Sequence, residues 1–298
     1  GWLGLIVAGV CFIGPAMLIV LALAWGYVTF GALPAVAGVV RGITPVVIAI
    51  IAQALWGLSR TVLRGPIPII AGIAVLALYL LGWNTILLLF GAAVLAGLAL
   101  LIQQGRRGTS ALLLPGVLGA TAPGFSQIAL FLTFLKIGAV TYGSGYVLLA
   151  FLHSDLVTQL HWLTNRQLLD AVSVGQFTPG PVFTTATFIG YVVGGLPGAL
   201  VATLGIFLPA FALIPIIDPL ARQIRQRRVT ANLLDGVNAA ALGLMGGVLV
   251  QLGQGALTGI VPILEALIAL VLLIRFRFNS AWLILAGAIV GFLVYGVR

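Results

Sequence analysis

The sequence predicts an all-α polytopic membrane protein that consists of inverted-topology repeats with broken and re-entrant helices. Three observations predict this fold class. Of the 298 residues, 62% are hydrophobic and 6% are charged, whereas roughly a quarter of the residues in soluble domains are charged. Segments that lie 194 residues apart match each other. The Arg-rich loops of one copy correspond to uncharged loops of the other.

Ten apolar runs predict the membrane segments, and most approach the roughly 20 residues that a helix needs to cross a bilayer. They lie at about 3–24, 36–58, 66–81, 86–102, 128–152, 181–194, 197–217, 233–252, 260–274 and 281–295. The run at 181–194 is too short to cross upright, so we predict that it is one arm of a re-entrant hairpin. We expect 128–152 to cross once and 156–194 to enter and leave on one side, because inversion requires an odd number of crossings per repeat.

The internal repeat follows one gapless offset of 194 residues. Pro15 matches Pro209 and Gly42 matches Gly236, and such Gly and Pro matches are harder to obtain by chance in an apolar chain than matches of Leu or Ala. The offset places the counterpart of the first part of the second repeat before residue 1. We therefore expect about 64 residues of the first repeat to be missing from this sequence. The predicted domains are a first repeat at 1–102, a cytoplasmic linker at 103–127 and a second repeat at 128–298.

The distribution of Arg residues predicts the orientation, because cytoplasmic loops are enriched in Lys and Arg. Arg60 and Arg64 follow the second run, while the corresponding loop at 253–259 is uncharged. Conversely, the loop at 218–230 carries four Arg residues, and its counterpart around Gly31 carries none. Equivalent loops are therefore predicted on opposite sides of the membrane. The net charge of +9 is explained by topology, so we predict membrane lipid and no nucleic acid as a partner.

The stretch 142–191 has motifs typical of a broken helix. Pro179-Gly180-Pro181 cannot lie inside a helix, whereas Pro181 suits a helix start and Thr178 could hydrogen-bond its free N–H groups. A helix that starts at membrane depth directs its positive dipole end at an anion. Non-helical backbone at this depth is typical of transporter substrate sites. The alternative is a Pro kink in an ordinary bundle helix.

Three segments resemble the chromate transporter (CHR) family of prokaryotic membrane proteins. They are FLKIGAVTYGSGYVLLAFL (134–152), WLTNRQLLDAVSVGQFTPGPVFTTATFIGY (162–191) and GLPGALVATLGIFLPAFALI (195–214). Tyr142 replaces the Phe of the FGSGY pattern in that family. The segment 1–60 resembles the later part of the family's N-terminal domain, which is consistent with a truncated N-terminus. The resemblance implies an integral protein of the plasma membrane that exports chromate, driven by the proton gradient.

Sulfate or another inorganic anion is the alternative substrate. Chromate and sulfate are tetrahedral dianions, so a site for either needs many hydrogen-bond donors and some positive charge. Backbone N–H groups, hydroxyl groups and the only Lys residue could supply them. The predicted substrate-binding residues are Lys136, Gly143, Ser144, Gly145, Gln176, Thr178, Pro179, Gly180, Pro181, Thr184 and Thr185. For Lys136 the alternative is that its side chain reaches back to the lipid headgroups.

Proton coupling requires an ionisable group in the protein interior, and Asp170 and Glu265 are the candidates. Asp155 and His153 are predicted to anchor the chain where it meets water. Arg166 is interpreted as a second counter-charge or as an interface residue. Arg41 and Asp235 occupy equivalent repeat positions and are interpreted as helix-end charges.

Other functional classes find less support in the residues. A single Cys (Cys11) and two His predict no disulfide, metal, haem or other cofactor. Gly143-Ser144-Gly145 matches half of the GxSG pattern of intramembrane serine proteases, but Tyr142 stands in place of the first Gly, so we predict no catalytic residue and no enzyme. A non-transporting membrane subunit is the remaining alternative. A homodimer is left open by the sequence.

Overall fold

The computed structural model describes residues 2–31, 33–63, 65–103, 125–141, 147–178, 180–224 and 228–296, and within these ranges it contains helices and no strand. Four helical segments are long and apolar enough to cross a membrane: Gly4–Phe30, Ala35–Val62, Val182–Leu213 and Gly236–Ala256. Shorter apolar helices surround them. The predicted all-α polytopic membrane fold is confirmed.

The helices follow in chain order. They are α1 (Trp2–Phe30), α2 (Pro34–Val62), α3 (Pro66–Leu80), α4 (Thr85–Gln103), α5 (Gln127–Val140), α6 (Val147–Leu152) with a π-helical continuation (His153–Gln159), α7 (Asn165–Phe177), a 3₁₀ turn (Val182–Thr184), α8 (Thr185–Ile224), α9 (Arg228–Ala256), α10 (Ile260–Arg275) and α11 (Ser280–Gly291) with a π turn (Phe292–Gly296).

The helix boundaries recur at the spacing of the sequence repeat. Helices α2 and α9 both contain 29 residues and start 194 positions apart, and α3 and α10 start at the same separation. Gly65 and Gly259, which precede α3 and α10, have nearly the same backbone angle, with φ of 107° and 105°. Few residues other than Gly adopt this conformation. The division into domains at 1–102 and 128–298 remains a prediction, and most of the predicted linker lies outside the described residues.

Equivalent helices of the two copies run antiparallel. A Cβ on Gly246 of α9 would lie 3.8 Å from the Leu55 side chain of α2, and Arg41, near the start of α2, lines a cavity together with Gly255, at the end of α9. The packing is also reciprocal, because α2 packs against α10 and α11 while α9 packs against α3 and α4. Antiparallel counterparts with reciprocal contacts are what an inverted repeat produces.

Helix α8 consists of two antiparallel arms, 185–193 and 196–224. Gly194 and Gly195 have non-helical backbone angles, and Gly195 has a φ of 65°. The hydroxyl oxygens of Thr187 and Thr203, one on each arm, lie 2.7 Å apart. The chain therefore turns back between the predicted runs 181–194 and 197–217.

Residues 127–141 and 147–159 form what we call the first hairpin, with α5 as one arm and α6 with its π-helical continuation as the other. Phe125 and Trp162, which flank it, have ring centroids 5.6 Å apart. The prediction that 128–152 crosses the membrane once is therefore wrong, since α5 and α6 are the two arms of a hairpin and the chain meets Phe125 again at Trp162. Helix α5 has 14 residues, or about 21 Å, which is short of the roughly 30 Å of a bilayer core.

The second hairpin is formed by α7 and the first arm of α8, as the short run at 181–194 predicts. Helix α7 begins with a capping box in which Thr164 and Gln167 exchange hydrogen bonds. The side-chain amide of Gln127, at the start of the first hairpin, donates a hydrogen bond of 3.4 Å to the Gly194 carbonyl, at the end of the second. Both hairpins thus open on one side of the protein, which we call the hairpin face.

Candidate functional site

The tip of the second hairpin lies at the depth of the middle of α1. Gly180, in the TPGP motif, has a φ of 156°, and a Cβ added to it would collide with the Cβ of Ala16. Ala16 is buried and lies at the centre of the 29-residue helix α1. The backbone at the tip therefore requires glycine at position 180, and the tip is placed well inside the membrane region.

A small cavity lies where the described arms of the two hairpins meet, with room for about one water molecule. Its lining residues are Ile51 from α2, Leu148, Leu149 and Leu152 from the first hairpin, and Val172, Gln176, Val182 and Thr185 from the second. The structure thus brings Gln176 and Thr185 together. The predicted residues Gly143, Ser144, Gly145 and Pro179 lie outside the described residues.

The threonine hydroxyls near this cavity donate to nearby backbone carbonyls. Thr178 donates to Val174 at 2.8 Å, Thr184 to Pro181 at 2.8 Å and Thr185 to Val182 at 2.7 Å. The prediction that Thr178 caps the following helix is wrong, because this residue ends α7 and bonds back to its own helix. Pro181 instead precedes the 3₁₀ turn, and its carbonyl accepts the Thr184 N–H at 2.9 Å.

Lys136 forms an ion pair across the first hairpin. Its Nζ lies 2.7 Å from Oδ2 of Asp155, whose side chain is 3% exposed, while that of Lys136 is 41% exposed. The interpretation of Asp155 as an interface anchor is wrong, since this carboxylate is buried against a cation within the protein. The charge of Lys136 is therefore already balanced in this conformation.

We expect Lys136→Gln to destabilise the protein more than Asp155→Asn does. Loss of the lysine leaves a buried carboxylate without its cation, at a cost on the order of 2 kcal/mol or more. Loss of the carboxylate leaves a half-exposed lysine, whose long side chain can carry its charge toward the membrane surface. Thermal unfolding of the two variants in the same detergent measures the difference. Equal losses of stability would contradict this assignment.

His153 is also buried, at 4% exposure. Its Nδ1 lies 2.9 Å from the hydroxyl of Tyr79 in α3, and its Nε2 lies 2.9 Å from Oδ1 of Asn165 in α7. Since Oδ1 can only accept, Nε2 donates to Asn165 and Nδ1 accepts from Tyr79. The prediction that His153 sits where the chain meets water is wrong, because the π-helical segment turns it inward to join three elements.

Asp170 lies in the second hairpin and is 3% exposed. The hydroxyl of Tyr27, in the last turn of α1, donates a hydrogen bond of 2.7 Å to its Oδ2. Its Oδ1 is buried and accepts no hydrogen bond from the part of the chain that the structure describes. The carboxyl therefore connects a re-entrant hairpin to a helix of the other repeat. The sequence has no signal for Tyr27, which occupies an unremarkable position near the end of an apolar run.

Glu265, the other predicted coupling residue, lies on α10 beside Gly287 of α11. Both of its carboxyl oxygens are buried and have no hydrogen-bond partner among the described residues. Unlike Asp170, it is not part of either hairpin. Of the two candidates, Asp170 is therefore the one that the structure places in the broken region of the fold.

Comparison with known proteins places the chain in a family. A family model described as "Chromate transporter" matches residues 1–98 and 128–292. The chain is 35% identical to the chromate transport protein of Cupriavidus metallidurans, over 98% of this chain and 75% of that protein. It is 34% identical to a probable chromate transport protein of Synechococcus elongatus, over 91% and 72%, and 31% identical to the chromate transport protein of Pseudomonas aeruginosa, over 99% and 76%. No solved structure matches the chain.

Proposed function

Because the chain belongs to the chromate transporter family, we propose that it carries chromate across the plasma membrane of a prokaryotic cell. The observation that carries this proposal is the pair of re-entrant hairpins, which meet beside a mid-membrane break in helical structure. Broken helices of this kind leave backbone donors free at membrane depth, where an anion has no water to solvate it. The names of the relatives point to transport rather than to catalysis.

The substrate site in this proposal lies where the described arms of the two hairpins meet. Gln176, Thr184 and Thr185 stand at or beside the small cavity there, and the N-terminal turn of the second arm adds backbone N–H groups. The buried side-chain nitrogen of Gln176 has no hydrogen-bond partner among the described residues, so it is a donor that an oxyanion can use. The cavity is far smaller than a tetrahedral oxyanion needs, and the two hairpins must separate for the anion to bind. Transport thus requires the hairpins to move.

Coupling to the proton gradient is proposed to run through Asp170, with Glu265 as the second candidate. A proton on Asp170 changes the carboxyl from an acceptor of the Tyr27 hydroxyl into a group that can also donate. This hydrogen bond joins the second hairpin to α1. Protonation of Asp170 therefore changes how the hairpin, which must move during transport, is held to the long helix α1. The resulting cycle would export chromate as protons enter.

We expect gradient-dependent chromate accumulation in inverted membrane vesicles from cells that express the full-length protein. The assay compares uptake with and without a proton gradient, and adds excess sulfate as a competitor. Inhibition by sulfate would indicate a site that recognises the shape and charge shared by the two anions. Well-expressed protein that accumulates no chromate under either condition would overturn chromate as the substrate.

A further inference from the structure

A second and larger cavity, of about 650 Å³, opens on the hairpin face. It carries two guanidinium groups, Arg41 from α2 and Arg166 from the start of α7, together with the hydroxyls of Thr164, Thr258 and Tyr295 and the amide of Asn165. None of its lining residues in the described part of the chain is acidic. Its chemistry is therefore that of an anion site, because guanidinium groups bind oxyanions through paired N–H donors.

The two cations come from distant elements of the chain. Arg41 lies near the N-terminal end of α2, whereas Arg60 lies near the opposite end of the same helix. Arg166 lies in the first turn of α7. Because Arg41 and Arg166 line the same cavity, the fold concentrates positive charge on the hairpin face.

The larger cavity lies closer to the hairpin face than the small cavity between the two hairpins. In α2, Thr44 lines the larger cavity and Ile51 lines the smaller one. In α7, Leu169 lines the larger cavity and Gln176 the smaller one. Both pairs are seven residues apart, which places them on one helix face and about 10 Å apart along the helix. Since α2 and α7 pack together, both cavities lie along their shared seam.

We propose that this cavity is an oxyanion-binding vestibule, in which Arg41 and Arg166 hold a tetrahedral dianion on the hairpin face before or after it passes along the seam between α2 and α7. The proposal rests on the proposed function for the identity of the anion. The vestibule is distinct from the small cavity between the hairpins, because it lies about two helical turns closer to the hairpin face and uses charged side chains.

The test is equilibrium binding of radiolabelled sulfate to the purified full-length protein in nanodiscs of zwitterionic lipid at low ionic strength. We expect Arg41→Gln and Arg166→Gln each to weaken binding about tenfold, as loss of a charge-assisted contact does. Arg41→Lys should retain part of the affinity, since it keeps the charge. The matched control is Arg60→Gln, because Arg60 lies at the other end of α2, with its guanidinium 4.9 Å from the Trp56 ring centroid.

Unchanged sulfate affinity in the double variant R41Q/R166Q would overturn the vestibule. A second arm adds phosphatidylglycerol to the nanodiscs, since a lipid headgroup offers the same anionic oxygens. Sulfate binding that persists in this lipid supports a site for a free oxyanion, whereas Arg-dependent binding of the lipid without any sulfate binding would overturn it. Arg-dependent sulfate binding by a protein that shows no chromate flux would reject the proposed function and leave the vestibule standing.

Discussion

Replacing Asp170 with Asn is expected to abolish net chromate flux driven by a proton gradient while chromate exchange continues. Asparagine keeps the size of the side chain and can still accept a hydrogen bond from Tyr27, which is 2.7 Å from the carboxyl in the native protein. It cannot take up or release a proton. We expect a loss of about a hundredfold or more in net flux, because an ionisable group inside a membrane protein is not easily replaced.

The measurement compares two modes of transport in proteoliposomes. Net flux under an imposed gradient reports coupling, and exchange of labelled for unlabelled chromate at equal proton concentrations reports binding and movement. Glu265→Gln is the comparison variant, because Glu265 is the second candidate and its carboxyl oxygens are buried without a hydrogen-bond partner among the described residues. Loss of net flux with retained exchange in this variant, and not in Asp170→Asn, would assign coupling to Glu265. If Asp170→Asn reduced exchange and net flux equally, Asp170 would be a structural residue and not a coupling residue.

Gly180→Ala is expected to reduce chromate flux at least about tenfold by displacing the tip of the second hairpin. The substitution has two costs. An L residue at a φ of 156° is strained by about 1–2 kcal/mol, and the new Cβ collides with Ala16 of α1. To relieve the collision, either the tip of the second hairpin must move away from α1 or α1 must shift.

Two further variants separate these costs. Gly82→Ala has the backbone strain alone, because Gly82 has a φ of 87° and nothing lies within 4 Å of an added Cβ. Combining Gly180→Ala with Ala16→Gly removes the collision and leaves the strain. We expect the double variant to recover part of the flux, measured against Ala16→Gly alone. No recovery would mean that contact with Ala16 does not limit the tip.

Much of the architecture can be predicted from apolar runs. A membrane helix satisfies its own backbone hydrogen bonds, so its length and composition are enough to predict that it forms. The run predicted at 36–58 is found as Pro34–Val62, and the turn between 194 and 197 is found at Gly194 and Gly195. The path of the segment 128–152 cannot be predicted in this way. An apolar run that is long enough to cross the membrane can also form a re-entrant hairpin. The contact of Phe125 with Trp162 distinguishes these two paths, and it is a tertiary contact that the run itself does not reveal.

The candidate site is less predictable, because its contacts join distant parts of the chain. Asp170 can be selected as an ionisable group in an apolar region, but its partner Tyr27 lies 143 residues away. The prediction that Thr178 caps a helix assumes that the next helix starts directly after it. In the structure the next helical turn starts only after Pro181, at Val182. Arg41 and Arg166 belong to different repeats, so their common cavity is visible only in the folded chain.

The π-helical segment His153–Gln159 sets the rotation of the chain that leaves the first hairpin for the second. A π turn holds about one more residue than an α turn, and such turns are frequent at functional sites. If the same residues closed as an α-helix, the side chains that follow would turn by about 100° around the helix axis. Asn165, at the start of α7, would then no longer lie opposite His153. The π turn therefore fixes how the two hairpins are rotated against each other.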